Sequence, residues 1–287
     1  MESASSPHIW LARARDRQGR SCVLRTLTEG PQPGPDTEFE AIPDPFADPS
    51  GDPYALACDA VALTLGYRGR LDAVRLEAPL RPSKILGVGR NYRAHAAELG
   101  NDVPEEPLLF FKPPSCLVPS GATVSLPRGF DRIDLEGELV VVIGRRARSV
   151  TVADAWQHVA GYMLGNDISC RDLQRRDGQW TRAKGFDGFG PTSALVHLTA
   201  PGFVLDTAAC RLRSFLDDVP CQDATVDAMI FGIPELIAVI SACMTLNPGD
   251  LIFTGTPKGV APIRSGQVVR ITADGPFALA PVLSPLT

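Results

Sequence analysis

Through most of this chain the apolar runs are short, and glycine or proline closes each one. PLLFFKPPS (107–115), GELVVVIG (137–144), DLIFTGT (250–256) and GQVVRITA (266–273) are the clearest examples. Runs of this length and punctuation read as strands joined by tight turns. Residues 9–27, IWLARARDRQGRSCVLRTL, read as two further strands around a turn at Gln18–Gly19. Two segments read as helices: TVADAWQHV, where Thr151 and Asp154 resemble a capping box, and PELIAVISACM, opened by Pro234 and ended by the turn NPGD. The balance predicts a β-rich α+β body rather than an alternating βαβ sheet. GVGRN lacks a third glycine, and no GxGxxG stands between a strand and a helix, which excludes a dinucleotide-binding fold.

With 287 residues, 44% of them hydrophobic, the chain suits one large domain with a small appendage. Seven of its 26 prolines fall between positions 31 and 53, a density expected of an exposed loop. Residues 1–80 are therefore expected to form a small N-terminal domain carrying the loop 31–53, and residues 81–287 the main body, which starts at RPSKILGVGR. A net charge of −5 and a pI near 5.4 argue against nucleic acid or an anionic membrane surface as partner. No apolar run approaches the roughly 20 residues of a membrane-spanning helix. MESASSPHIW lacks the pattern of a signal peptide. Seven scattered cysteines without a CxxC pair suit reduced thiols in the cytoplasm.

The chemistry concentrates in DLEGELVVVIG (134–144). Glu136 and Glu138 stand two apart at the mouth of an apolar strand, where i and i+2 share a face. Two carboxylates entering a core together repel each other and lose hydration, and a divalent cation is the simplest remedy. The alternative is a solvent-facing pair on a half-exposed strand. Asp167 ends the apolar run AGYMLGND and by itself reads as a helix N-cap or turn residue. Three carboxylates at strand ends suit Mg²⁺ or Mn²⁺, whereas zinc is disfavoured because no histidine or cysteine stands at ligand spacing near them. In NYRAHAAE (91–98), His95 and Glu98 share a helix face and can touch, either as a chemical pair or as two polar residues on a wet surface. Arg90 is placed to reach a substrate carboxylate. His158 reads as a core-edge residue, His197 as a strand residue without acidic neighbours, and RRAR (145–148) as a solvated turn.

Six stretches taken in order, NYRAHAAELG, PLLFFKPPS, DLEGELVVVIG, GYMLGNDISCRDLQ, QWTRAKGFDGFGP and LNPGDLIFTGTPKGV, resemble the fumarylacetoacetate hydrolase family over residues 80–275. The resemblance is closest to the smaller acylpyruvase-like members. It implies a mixed β-roll with a small N-terminal domain, assembled as a homodimer. It also implies Glu136, Glu138 and Asp167 as ligands of Mg²⁺ or Mn²⁺, and His95 oriented by Glu98 on a mobile lid. Lys184 would face the bound substrate, with Arg171, Gln174 and Thr256 contacting it.

The implied reaction is hydrolysis of a C–C bond in a β-diketo acid of the acylpyruvate or fumarylpyruvate type. His95 would deliver hydroxide to the distal carbonyl, and an enolate would leave beside the metal and Lys184. Oxaloacetate decarboxylation and 2-oxo acid tautomerisation would use the same site. A non-catalytic carboxylate-binding member is the third reading, against which His95 and Lys184 speak. The implied partner is a small 2-oxo carboxylic acid. Two departures are expected near the pocket rim: Asp217–Asp218 where the family has Asn-Gly, and Gly190-Pro191-Thr192-Ser193-Ala194 where it has C-P-L-G-P. The proline-rich stretch 31–53 matches no clear motif of the family.

Overall fold

The computed structural model describes residues 8–287 apart from 17, 29–32, 35, 63–65, 99 and 101. The strand Gly137–Ile143 is buried along its whole length. Leu139, Val141 and Ile143 enter one core, and Val140 and Val142 another. A strand buried on both faces requires an unbroken apolar run, which is why GELVVVIG shows no polar alternation beyond its start. Val159–Asn166 pairs antiparallel with it, from Gly137↔Asn166 to Ile143↔Val159. Leu251–Phe253 flanks its other side and lies parallel to Ile85–Gly89, and Leu108–Lys112 follows antiparallel.

The N-terminal strands His8–Arg15 and Ser21–Thr28 form the expected hairpin, with Gly19 at φ 78 in the turn. His8–Arg15 pairs with Leu195–Leu198, so these strands extend the same sheet, which has thirteen strands among the described residues. The proline-rich stretch is not all exposed loop. Phe39–Ile42 pairs with Ser21–Thr28 and buries Phe39, Ala41 and Ile42. Prolines flank this strand without interrupting it, as their missing N–H requires. Positions 31, 32 and 35, and the first seven residues on which the signal-peptide reading partly rested, lie outside the described residues.

A four-stranded sheet (Arg211–Leu216, Val219–Thr225, Val268–Asp274, Val282–Pro285) and a three-stranded one (Ile133–Leu135, Ser169–Cys170, Ala261–Pro262) complete the mixed β architecture. Helix Ile233–Cys243 forms with Pro234 in its first turn and buries Ile233, Leu236, Ile237 and Ile240, the i, i+3, i+4, i+7 stripe of an amphipathic helix. The other expected helix does not form. Thr151 Oγ1 donates to Asp154 Oδ2 at 2.7 Å, but only a 3₁₀ turn, Ala155–His158, follows before Val159 enters the sheet. RRAR is also more than a solvated turn: Ala147 is buried, and Arg148 donates to the carbonyls of Ser241 (2.9 Å) and Ala242 (2.5 Å) at the helix C-terminus. Among the described residues, no helix is long and apolar enough to cross a membrane.

Candidate active site

Strand pairing brings the three carboxylates together. Glu136 lies between Ile133–Leu135 and Gly137–Ile143, and Glu138 shares the face of Val140 and Val142. Asp167 directly follows Val159–Asn166, whose register sets Asn166 against Gly137. The Asp167 amide consequently donates to the Glu136 carbonyl at 2.8 Å, and Asn166 Oδ1 accepts the Glu136 amide at 2.9 Å. Glu136, Glu138 and Asp167 are 3%, 2% and 1% exposed, which rules out a solvent-facing pair. One carboxylate oxygen from each lies within 4.8 Å of the others.

Three cations share this pocket of acids unevenly. Lys184 Nζ donates to Glu136 Oε2 (2.7 Å) and Asp167 Oδ2 (2.5 Å). Arg171 donates to Asp134 Oδ2 (2.8 Å), Glu136 Oε1 (2.5 Å) and Gln174 Oε1 (2.8 Å). Lys112 Nζ donates to Asp167 Oδ1 at 2.7 Å. Burial opposes ionisation of Glu136, but Lys184 and Arg171 outweigh it and hold that carboxyl far below its ordinary range. Burial likewise opposes the Lys184 ammonium, and Asp167 and Glu136 keep it protonated. Glu138 has less help, since Lys184 acts on it only without direct pairing. It accepts the Gly255 amide at 2.8 Å, and no cationic side chain pairs with it among the described residues. Burial, with Asp167 and Glu136 alongside, pushes its carboxyl well above the ordinary range. An all-oxygen donor set holding one uncompensated carboxylate fits a hard divalent cation.

Opposite the acids, helix Arg93–Glu98 turns His95 and Ala96 inward. His95 is 3% exposed, so the wet-surface alternative does not describe it. Its Nδ1 lies 3.3 Å from Glu98 Oε2, and Glu98 Oε1 accepts the Gly259 amide at 2.9 Å. Burial lowers the His95 pKa, and Glu136 and Glu98 oppose this only in part, so the imidazole is neutral at pH 7. With Nδ1–H directed at Glu98, Nε2 keeps its lone pair. Asn91 fixes the approach to this helix, donating to the carbonyls of Thr254 (2.7 Å) and Phe231 (3.0 Å).

One cavity of about 430 Å³ is lined by Arg90, His95, Glu136, Glu138, Asp167, Arg171, Gln174, Lys184 and Thr256. Glu98, the remaining candidate, stands behind His95. The Thr256 hydroxyl is already engaged, donating to the Gly137 carbonyl (2.8 Å) and accepting from Gln222 Nε2 (2.7 Å). Neither departure from the family pattern lines the cavity. Asp217–Asp218 is a two-residue hairpin turn, with φ of 49° and 62°, and Gly190–Thr192 is a buried strand. His158 ends the 3₁₀ turn, and His197 is stacked between the rings of Trp10 and Phe277, where burial lowers its pKa to about 4. Sequence reasoning missed Lys112, Gln222 and the cavity walls Phe110 and Trp180. A lone lysine ending the apolar run LLFF was the one available signal.

A mixed β architecture with buried acidic residues at its strand ends defines a fold of the β-roll kind. Residues 84–281 match the family described as Fumarylacetoacetate (FAA) hydrolase C-terminal, and the chain belongs to the fumarylacetoacetate hydrolase family. Oxaloacetate tautomerase FAHD1, mitochondrial, of Oryza sativa subsp. japonica is 43% identical over 200 residues, 67% of this chain and 86% of that protein. The structure of 5-carboxymethyl-2-hydroxymuconate delta-isomerase from Mycobacterium smegmatis matches with a TM-score of 0.79 and 34% identity, covering 97% of this chain and 99% of the other. Fumarylpyruvate hydrolase from Pseudomonas aeruginosa, in complex with Mn²⁺ and pyruvate, matches with a TM-score of 0.64 and 32% identity over 74% of this chain and 91% of the other.

Proposed function

We propose that this protein is a divalent-cation-dependent hydrolase cleaving a C–C bond in a short β-diketo acid of the acylpyruvate type. The observation that carries the reading is the meeting of a neutral His95, backed by Glu98, with Lys184 and three buried carboxylates on one cavity. Glu136, Glu138 and Asp167 would hold Mg²⁺ or Mn²⁺, which when bound supplies Lewis-acid charge for a 2-oxo carboxylate. Arg171, with Gln174 fastened to it, adds positive charge to the same wall and orients the acid group.

His95 Nε2 takes a proton from water, and the water oxygen adds to the carbonyl distal to the carboxylate. The bond from that carbon to C3 breaks, and C3 leaves with the electron pair as the enolate of pyruvate, then takes a proton. The products are the acyl acid and pyruvate. Glu98 keeps Nδ1 protonated and stabilises the imidazolium. The Lys184 ammonium stands on the same wall, where negative charge develops on oxygen.

The test is a panel of acylpyruvates assayed by loss of diketo-acid absorbance and by pyruvate release. Turnover is expected with Mg²⁺ or Mn²⁺ and none in EDTA, and His95→Ala should lose roughly 10²-fold or more in kcat while still binding Mn²⁺. Absence of turnover on every acylpyruvate would remove the hydrolase reading. A second reading, tautomerisation of a 2-oxo acid such as oxaloacetate, is favoured by the similarity to a named tautomerase and a named isomerase. There His95 would move a proton at C3 without adding water. Enol–keto interconversion without pyruvate release marks that outcome, and pyruvate with CO₂ from oxaloacetate marks decarboxylation.

A further inference from the structure

Strand His8–Arg15 divides its side chains between two cores. Trp10, Ala12 and Ala14 enter one, and Ile9 and Leu11 enter another together with Leu80. The face of Ile9 and Leu11 continues to Arg13 and Arg15, because i and i+2 share a side. Arg75–Glu77 pairs antiparallel with this end of the strand, in the register Arg13↔Glu77 and Arg15↔Arg75. These four residues, with Arg81, line a cavity of about 430 Å³ that shares no lining residue with the acidic one. Leu80, Pro114 and Leu117 form an apolar part of its wall, where the N-terminal strands meet the main body.

The charges on this cavity do not balance, because its four arginines share two carboxylates. Arg13, 6% exposed, donates through Nη2 to Asp44 Oδ2 at 2.5 Å, and its buried Nε–H has no acceptor among the described residues. Glu77 accepts from Arg15 Nε at 2.8 Å and from the Ser21 hydroxyl at 2.6 Å, and Arg81 Nη2 stands 3.6 Å from it. Arg75 has no carboxylate within ion-pair distance among the described residues, and it lies directly opposite Arg15. Like charges in that position destabilise an antiparallel pair. An anion between the two guanidinium groups would turn the repulsion into attraction.

We propose that this cavity binds a small phosphorylated compound. Its phosphate lies between Arg15 and Arg75 with Arg81 beside them, and its carbon body rests on Leu80, Pro114 and Leu117. A phosphate ester carries about −1.5 to −2 charge at pH 7 and three strong acceptor oxygens. That charge matches the excess of arginine over carboxylate here, which a single carboxylate does not. Planar guanidinium forks meet phosphate oxygens two at a time. The cavity volume also falls in the range, roughly 300–1,000 Å³, that holds a small molecule.

Calorimetry on the full chain with Mg²⁺, at constant ionic strength, tests this with phenyl phosphate, benzoate and inorganic phosphate. Phenyl phosphate is expected to bind at least about tenfold tighter than benzoate, which has the same ring and a single charge. It should also bind tighter than inorganic phosphate, which lacks the ring. Arg75→Gln is expected to weaken phenyl phosphate at least about tenfold. Without ligand that variant should melt no lower than the wild type, since it removes the like charge opposite Arg15. Arg90→Gln, on the acidic cavity, should leave the affinity unchanged. Equal binding of benzoate overturns the phosphate assignment. Binding that survives Arg75→Gln, or is lost in Arg90→Gln, places the phosphate elsewhere and overturns the site. A lower melting temperature in Arg75→Gln overturns it as well, because Arg75 would then be a structural partner and not a waiting ligand.

Discussion

Lys112 Nζ meets Asp167 Oδ1 at 2.7 Å, an ion pair with both side chains at most 1% exposed. The lysine starts from the last strand of the sheet path, and its Nζ lies 5.9 Å from the Phe253 ring centroid as it reaches the carboxylate that follows Val159–Asn166. Its ammonium also donates to the carbonyls of Lys184 (2.6 Å) and Phe189 (3.0 Å), so its three protons are all used. Lys112 therefore holds the site together and has none left for a substrate. Lys112→Met keeps the apolar stem and strands one carboxylate oxygen and two carbonyls. A loss of about 3–5 kcal/mol in urea unfolding is expected, and a change within error would show that Lys184 alone suffices.

Glu138 gives the metal prediction, because it is the carboxylate without a cation. Its folded pKa lies above the ordinary 4.5, so a buried Glu138 costs stability as the pH rises above that value, where the unfolded chain ionises more readily, and the cost disappears below it. Glu138→Gln removes the charge and can still accept the Gly255 amide. Without metal, the variant should melt no lower than the wild type at pH 7, and any advantage should vanish as the pH falls through the ordinary carboxylate range. With Mn²⁺ at about 100 times its Kd the wild type should gain about 2.7 kcal/mol, most of which the variant should lose. Melting curves in EDTA and in Mn²⁺ measure both arms, and an equal Mn²⁺ response in the two proteins would exclude Glu138 as a ligand.

Much of this arrangement was legible because local pattern and tertiary need agreed. The run in Gly137–Ile143 had to be a strand, and its period of two put Glu136 and Glu138 on one face whatever the topology. Spacing alone likewise allowed His95 to touch Glu98. What was not legible depends on contacts distant in sequence. Lys112 looks like a solvated strand end until the fold brings it against Asp167. Gln222 lies in a strand whose other residues are exposed or half-buried, and contacts with Gly137, Ser214, Thr256 and Pro257 bury it. TVADAWQHV carries good local helix signals, but pairing of Val159–Asn166 on the central strand outweighs them, as sheet pairing commonly does over short helical propensity. The same competition turned Phe39–Ile42 from loop into strand.

Gln222 links the four-stranded sheet to the acidic segment. Its Oε1 accepts the Gly137 amide (2.8 Å) and the Ser214 hydroxyl (2.9 Å), and its Nε2 donates to Thr256 Oγ1 (2.7 Å) and the Pro257 carbonyl (2.7 Å). Gly137 and Gly255, the residues next to Glu138 and Thr256, are thereby held in register. Gln222→Leu should destabilise by about 1–3 kcal/mol through the stranded amide. It should also weaken Mn²⁺ binding about 10-fold or more, since a neighbour that fixes a ligand affects affinity without touching the ion. Titration calorimetry with Mn²⁺ separates the two, and unchanged affinity in a destabilised protein would make Gln222 a packing residue alone.

His95 acts as a base only while neutral, and that sets the pH profile. Burial places its folded pKa below the ordinary 6.5, while Glu136 and Glu98 pull it upward in part. The kcat/KM for an acylpyruvate should then be flat near neutrality and fall on the acid side, with its midpoint below 6.5. Glu98→Gln removes a negative charge beside Nδ1 but leaves an amide oxygen to accept its proton. The midpoint should therefore move further down in pH, while kcat falls about tenfold because the imidazolium loses its anionic partner. The opposite displacement, to higher pH, would mean that Glu98 acts on some group other than His95. His95→Ala should abolish this acid limb along with most of the rate. Profiles from about pH 5 to pH 8 for the three proteins measure it, and an unchanged limb in His95→Ala would assign the titration to one of the carboxylates and leave His95 without a basic role.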